Sequence, residues 1–163
     1  MIRWNALFPT LLTRAFLPSL RKTSLSHPVL VVFNGSFAAE LALPRLPLYT
    51  ASKAFLQRLP SSLNADERFI RGESNIEFMY VHTGTVQSNT ITGPANFFRP
   101  TSDEYATYIV KAFGSGRVEV VPYVIHRIGL AIIRNLPGFL QRVELKEEAK
   151  ALLSMGAKKP KNE

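Results

Sequence analysis

The sequence has no cysteine and only three histidines, His27, His82 and His126, spread along its 163 residues. A disulfide framework, a thiolate metal site and a cysteine nucleophile are excluded, and a histidine-built zinc site has too few ligands. The missing thiols also fit a reducing compartment. No run of about eighteen apolar residues occurs, so a transmembrane helix is not expected. The nearest candidate, Val124 to Leu140, is interrupted by His126, Arg127, Arg134 and Pro137. It suits either an interfacial segment anchored by arginines or a core-packed helix pair. Acidic residues are absent from the first 39 positions, which carry Arg3, Arg14, Arg21 and Lys22. Taken alone that resembles an organelle transit peptide, but the same residues have a structural reading below.

What is present describes a folded chain. Hydrophobic residues make up 46% of it, with eleven Phe, which argues against a disordered tail and suits one domain with a sizeable core. Twenty Lys and Arg against twelve Asp and Glu give a net charge of +8. That excess favours anionic partners such as nucleotide cofactors, acyl-CoA-like substrates or acidic lipid surfaces. The basic residues are mostly spaced singly, which argues against nucleic acid.

Apolar periodicity alternates along the chain. Asn5 to Leu20 has helical spacing, with Pro18 expected to close it. Pro28 to Phe33 is a continuous β-branched run, the signature of a strand buried on both faces. After a loop with Pro44 and Pro47, a helix is predicted from about Leu48, broken or kinked at Pro60. Ile76 to Val81 reads as a second strand. Ser102 or Asp103 is expected to cap a helix from about Glu104 to Phe113, ended by Gly114 and Gly116. Val118 to Val121 reads as a third strand, and helix-like segments follow. Strands separated by helices predict an α/β protein with a parallel sheet.

The chemistry gathers in one constellation. Tyr49-Thr-Ala-Ser-Lys53 places a phenol and an ammonium four residues apart, on one face of a helix. An isolated Tyr titrates near 10 and is a sluggish base at neutral pH; a nearby ammonium favours its phenolate. Ser36 stands just past the first strand, where its hydroxyl can donate to a substrate oxygen while Tyr49 moves the proton. Pro9 has no N–H, so the carbonyl of Asn5 cannot receive the usual helical bond. Either that carbonyl is free to hold a water, or the helix simply starts near Pro9.

The stretch PVLVVFNGSFAAELALPRLPLYTASKAF resembles the active-site segment of the short-chain dehydrogenase/reductases. The resemblance implies a Rossmann-like, three-layer α/β fold. It casts Ser36 as the residue that polarises the carbonyl, Tyr49 as general acid/base, and Lys53 as the group that lowers the Tyr pKa and holds the nicotinamide ribose. Asn5, in WNALFPTLLTRAFLP, matches the family's fourth catalytic position, which holds the water linking Lys53 to solvent. Thr83-Gly84-Thr85-Val86-Gln87-Ser88 resembles the PG-x-V-x-T loop that contacts the nicotinamide carboxamide. It implies cofactor contacts from Gly84, Val86 and Ser88 beside Tyr49 and Lys53, with Thr83 standing where the family has Pro, which loosens the turn. His82 reads as a loop residue rather than a catalyst.

Within the family, YTASKAF, the Phe97-Phe-Arg-Pro100 loop and Pro122-Tyr-Val-Ile-His126 look most like the branch of 3-ketoacyl-CoA reductases and 17β-hydroxysteroid dehydrogenases. That branch implies NADP(H), with NAD(H) as the alternative, an apolar ketone or alcohol substrate, and association with the endoplasmic-reticulum membrane. Lys159 and Lys161, fifth and third from the carboxyl terminus, resemble a dilysine retrieval signal. The helices around Leu7 to Phe16 and Phe55 to Leu63 resemble the family's dimer face and imply a homodimer. Ile91, Phe97, Phe98, Val124 and Ile125 suit an apolar substrate wall.

The resemblance covers only the family's second half. The strand, glycine-rich turn and helix N-terminus that cradle the pyrophosphate have no counterpart in the sequence, and Gly114-Ser-Gly116 precedes a strand rather than a helix. The chain thus reads as a catalytic half-domain over 1–122, a helical, membrane-associated segment over 123–155 and a basic tail over 156–163. Two functions follow. One is an NAD(P)H-dependent ketone reductase whose present chain, alone, binds the cofactor poorly. The other is a non-catalytic remnant or interaction module of the same fold.

Overall fold

The computed structural model describes residues 1–72, 75–89 and 93–135. The basic tail, Lys159, Lys161, Pro137 and Ile91 lie outside these described residues.

The two β-branched, apolar runs become the paired strands of the sheet. β1 (Val29–Asn34) and β2 (Ile76–Val81) run parallel, with Val29 opposite Ile76 and Asn34 opposite Val81. The short β3 (Glu119–Val120) adds to the other side of β2, giving the order β1-β2-β3. Parallel neighbours need crossovers, and helices supply them. α1 (Phe8–Thr23) precedes β1, α2 (Pro47–Arg71) joins β1 to β2, α3 (Ser102–Lys111) joins β2 to β3, and α4 (Val124–Asn135) follows. The mixed α/β class with a parallel sheet is as the sequence predicts.

Side-chain alternation along β2 sorts the core into two layers. Ile76, Phe78 and Tyr80 face Leu56, Leu59 and Leu63 of α2 and Leu17 and Leu20 of α1. Met79 and Val81 face Val120, Ile109 of α3 and Ala112, the residue that caps α3. β2 is therefore covered on both faces, which is why its sequence is apolar without a polar alternation.

Four expectations are corrected. α2 does not break at Pro60; it continues for 25 residues to Arg71. The ring of Pro60 is among the most buried side chains, and its burial with Leu56 offsets the donor it cannot give to the Leu56 carbonyl. Pro18 likewise sits inside α1, which runs on to Thr23. The cap of α3 is Thr101, whose extended backbone lets its hydroxyl accept from the Glu104 N–H at 3.1 Å. At Pro9 the helical run starts earlier than the proline: a π-helical turn over Arg3–Leu7 leads directly into α1. A wider turn relieves the clash a proline ring makes with the preceding turn.

Two buried polar contacts lock α2 in place. Asn64 donates to the Phe78 carbonyl at 2.7 Å and accepts from the Phe78 N–H at 2.9 Å, pairing backbone groups of β2 that β3 is too short to reach. Glu67, 2% exposed, takes the guanidinium of Arg21 from the last turn of α1, with Nε at 3.0 Å. Burial without a partner would be costly for either group.

Candidate functional site

Ser36 and Gly84 stand just past the carboxyl-terminal ends of β1 and β2, where open parallel sheets place their ligands, and Tyr49 reaches Ser36 from α2. β1 ends at Asn34, and the chain turns through Gly35 into an extended Ser36. The Ser36 hydroxyl accepts from the Ala38 N–H at 3.2 Å, opening the 3-10 turn Phe37–Ala39. Tyr49, in the first turn of α2, donates its hydroxyl to Ser36 Oγ at 3.4 Å. One turn later, Lys53 Nζ lies 5.8 Å from the Tyr49 ring centroid. Both side chains are half-buried, and burial pulls the Lys53 ammonium below its ordinary value. Serine, phenol and ammonium thus form one continuous group at the mouth of the sheet.

Asn5 joins this group by one intermediary. Its Nδ2 donates to Ser52 Oγ at 3.2 Å, and Ser52 Oγ donates to the Tyr49 carbonyl at 2.8 Å. The amide therefore braces the first turn of α2 through a serine, 3% exposed, that sequence reasoning did not single out. The signal was available: Ser52 sits beside Lys53 on the flank of α2 that turns toward α1.

The loop after β2 carries Gly84, Val86 and Ser88. Thr83 Oγ1 donates to Asn34 Oδ1 at 2.6 Å, and the Phe37 N–H donates to the Thr83 carbonyl at 3.1 Å. Where the resembled family has a proline, this turn carries a hydroxyl that ties it to the end of β1. Farther on, the Gln87 N–H donates to the Pro100 carbonyl at 3.0 Å, and Ser102 Oγ donates to the Gln87 carbonyl at 2.6 Å. Val86 is half-buried and Ser88 exposed.

Tyr80 is the largest omission of the sequence reading. It is fully buried on β2, accepts from the Ser36 N–H at 2.9 Å and donates to the Ser36 carbonyl at 3.2 Å. Burial pushes its phenol up to about 12, so it stays protonated as the donor. Its ring fills the space beside Gly35.

His82, read as a loop residue, is 2% exposed and sits between two carboxylates. Its Nε2 lies 2.9 Å from Glu119 Oε2 and its Nδ1 3.3 Å from Glu40 Oε1. Three such ligand atoms could converge on a metal ion. However, Arg134 already forks onto Glu40, and Gln57 donates to Glu119 at 3.0 Å. The group is best described as an ion-pair network tying α4 to the sheet. It borders a polar cleft of about 390 Å³ lined also by Arg58 and Ala54.

No helix among the described residues is long and apolar enough to cross a membrane. Nor does any glycine-rich turn among them stand between a strand and a helix N-terminus: Gly114 and Gly116 take left-handed backbone, with φ of 71° and 66°, between α3 and β3.

No family model matches the chain. A Caenorhabditis elegans protein named "Putative steroid dehydrogenase 2" is 28% identical to it over 138 residues, which are 83% of this chain and 41% of that protein. The chain thus spans less than half the length of this relative. A short-chain dehydrogenase from Burkholderia cenocepacia J2315, solved in complex with NADP, superposes with a TM-score of 0.63 at 20% identity, covering 82% of this chain and 53% of that one. A short-chain dehydrogenase from Streptomyces avermitilis superposes with a TM-score of 0.60 at 21% identity, over 88% of this chain and 60% of that one. The structures establish the fold, and the relative aligns along the segment that carries serine, tyrosine and lysine. On these grounds the chain has the fold of the short-chain dehydrogenases and is similar in sequence to a protein named as a steroid dehydrogenase.

Proposed function

We propose that these residues serve an NAD(P)H-dependent oxidoreductase that reduces an apolar ketone to an alcohol. The observation that carries the reading is the Tyr49 hydroxyl on Ser36 Oγ, at 3.4 Å, with Lys53 one helical turn away. The residues fit the nicotinamide end of such a cofactor: a cation and a phenol stand one helical turn apart beside the Ser36 hydroxyl. Bound NADP(H), or NAD(H), supplies the hydride that goes to the carbonyl carbon. Ser36 donates a hydrogen bond to the carbonyl oxygen, and Tyr49 gives that oxygen its proton as the C=O π bond breaks. Lys53 supplies the positive charge that favours the resulting phenolate. Asn5 braces Tyr49 and Lys53 through Ser52, and a water held at its carbonyl would return the proton through Lys53. Gly84, Val86 and Ser88 would meet the carboxamide.

Substrate class and surroundings belong to the same proposal. A 3-oxoacyl-CoA or a steroid-like ketone suits Phe97 and Phe98, both largely exposed beside the loop. Val124, Ile128 and Ile132 are also exposed, at spacings of four along α4, with Arg127 on the flank of that stripe. Such a face suits the endoplasmic-reticulum membrane surface. A second apolar stripe, Phe8, Leu12 and Phe16 exposed at spacings of four along α1, with Phe55 exposed on α2, suits a homodimer, and the unbroken α2 supports it.

The test is oxidation of NADPH by the purified chain with a long-chain 3-oxoacyl-CoA or a steroid ketone at high cofactor concentration. Slow turnover that vanishes in Tyr49→Phe, with folding intact, is the expected result. Turnover that survives in Tyr49→Phe would overturn the assignment of the acid. The absence of a pyrophosphate cradle among the described residues favours a second reading, a non-catalytic interaction module. Failure of the wild-type chain to bind NADPH at all selects that reading.

A further inference from the structure

His126 belongs to α4, outside every residue assigned above, yet it reaches beneath three segments of the site. Its imidazole is 6% exposed and enclosed by aromatic rings: Tyr123 at 5.0 Å, Phe37 at 5.6 Å and Tyr105 at 5.7 Å between centroids. Phe37 directly follows Ser36. The imidazole also lies flat against the loop after β2. A Cβ added at Gly84 would fall 2.8 Å from His126 Nδ1 and 2.9 Å from its Cγ. On the third side, Nε2 lies 3.1 Å from the Phe98 carbonyl, which fixes Nε2 as the donor in the neutral ring. Nδ1 makes no hydrogen bond of good geometry.

The same rings continue the connection. Tyr105 donates to the His82 carbonyl at 2.9 Å, and Tyr123 donates to the Phe97 carbonyl at 3.0 Å. One imidazole thereby touches the turn after Ser36, the Gly84 loop and the Phe97–Phe98 loop. We propose that His126 is a positioning residue, an aromatic plug on which the Gly84 loop and the Phe97–Phe98 loop rest, and that it holds both in place for cofactor and substrate. The last clause rests on the reductase reading; the seating of the two loops does not.

Protonation supplies a readout that simple packing lacks. Burial is the largest influence on His126 and pulls it below its ordinary value, against the opposing pull of the Phe98 and Thr85 backbones. The titratable groups packed against it are Tyr105 of α3, pushed up to about 12, and Tyr123, also pushed up, so both are uncharged. The other faces are Phe37 and the backbone of Gly84, Thr85 and Phe98. A group whose folded value is depressed binds its proton better once released. Acidification through the ordinary imidazole range therefore favours an opened state with His126 in water, and the loops should loosen as pH falls.

Amide hydrogen exchange on the full chain tests this, with rates corrected for intrinsic chemistry. In the wild type, exchange over 84–88 and 96–99 should rise between pH 7.5 and pH 5.5, ahead of the strands. His126→Ala should speed both segments about tenfold at every pH. His126→Phe, which keeps the ring and cannot titrate, should hold the 84–88 segment near its wild-type rate and abolish the pH dependence. Wild-type loops whose exchange is independent of pH, or a His126→Phe variant with the wild-type pH dependence, would overturn the proposal. NADPH titration of the same proteins separates it from the reductase reading. Loosened loops with no NADPH binding in the wild type would retain the plug and remove the cofactor.

Discussion

Tyr80 stands where a side chain at Gly35 would have to be. A Cβ built on Gly35 lies 1.9 Å from Tyr80 Cζ and 2.1 Å from its oxygen. The same phenol oxygen then bridges both backbone polar groups of the next residue, Ser36. The pair explains how a serine at a strand end is held still. The glycine admits the ring, and the ring fixes the backbone from which the hydroxyl projects toward Tyr49.

Removing the hydroxyl while keeping the ring isolates the second half of that relationship. Tyr80→Phe leaves the Ser36 N–H and carbonyl without their partner and should cost about 1–3 kcal/mol. Gly35→Ala should cost more, because a buried ring has nowhere to go. The two sites should be strongly non-additive: Gly35→Ala placed in a Tyr80→Ala background should do little further harm. Urea denaturation of the single and double variants reads this directly, and additive losses would mean that ring and glycine do not share the space.

Lys53 sets stability against chemistry. Its ammonium is half-buried and held below its ordinary value by desolvation, with no carboxylate contributing to the shift. The folded state therefore disfavours the charge, and Lys53→Met should leave the thermal midpoint unchanged or raise it. The same change should remove NADPH-dependent reduction. A marked fall in the midpoint would show that Lys53 is held by stabilising contacts rather than retained for its charge.

The sheet and the grouping of Tyr49 with Lys53 were readable because their signals are local. Apolar runs at 28–33 and 76–81 announce strands, but only β2 is largely buried: β1, expected to be buried on both faces, buries Phe33 and leaves Val32 and Asn34 exposed, having β2 as its one partner. Tyr49 and Lys53 lie one helical turn apart whatever surrounds them. Tyr80, Ser52 and His126 were not readable, because their roles depend on residues 44, 47 and 42 positions away in sequence respectively, at Ser36, Asn5 and Gly84. Pro60 was misread for the opposite reason. Its local preference is to break a helix, and burial against the core overrides that preference. Thr101, Ser102 and Asp103 are three cap-forming residues in a row, and only the extended backbone of Thr101 decides among them.

Asn64 should be more important than its type suggests. Its amide satisfies both the N–H and the carbonyl of Phe78, a residue 1% exposed. Asn64→Leu keeps the volume and leaves two buried backbone groups unpaired, each worth about 1–3 kcal/mol. Asn64→Asp keeps the acceptor and loses the donor, so it should fall between wild type and the leucine variant unless it becomes protonated. The order of midpoints in chemical denaturation checks this. A leucine variant as stable as wild type would mean that water replaces the amide.

Acid should weaken the fold through Glu119. Burial raises its carboxyl, but Gln57 and His82 outweigh burial and hold it below its ordinary value near 4.5. A carboxyl depressed by native partners contributes stability that is fully present above its unfolded value. That stability is lost as pH falls through the lower, folded value. Denaturant midpoints should therefore decline below about pH 5. Glu119→Gln cannot titrate, so it should start lower at pH 7, having given up the charged contact to His82, and decline less steeply on acidification. Glu40 faces the other nitrogen of His82 and the guanidinium of Arg134, so Glu40→Gln serves as the comparison. If Glu119→Gln shows the wild-type slope between pH 3 and pH 5 while Glu40→Gln flattens it, the acid sensitivity of the network resides in Glu40 rather than Glu119.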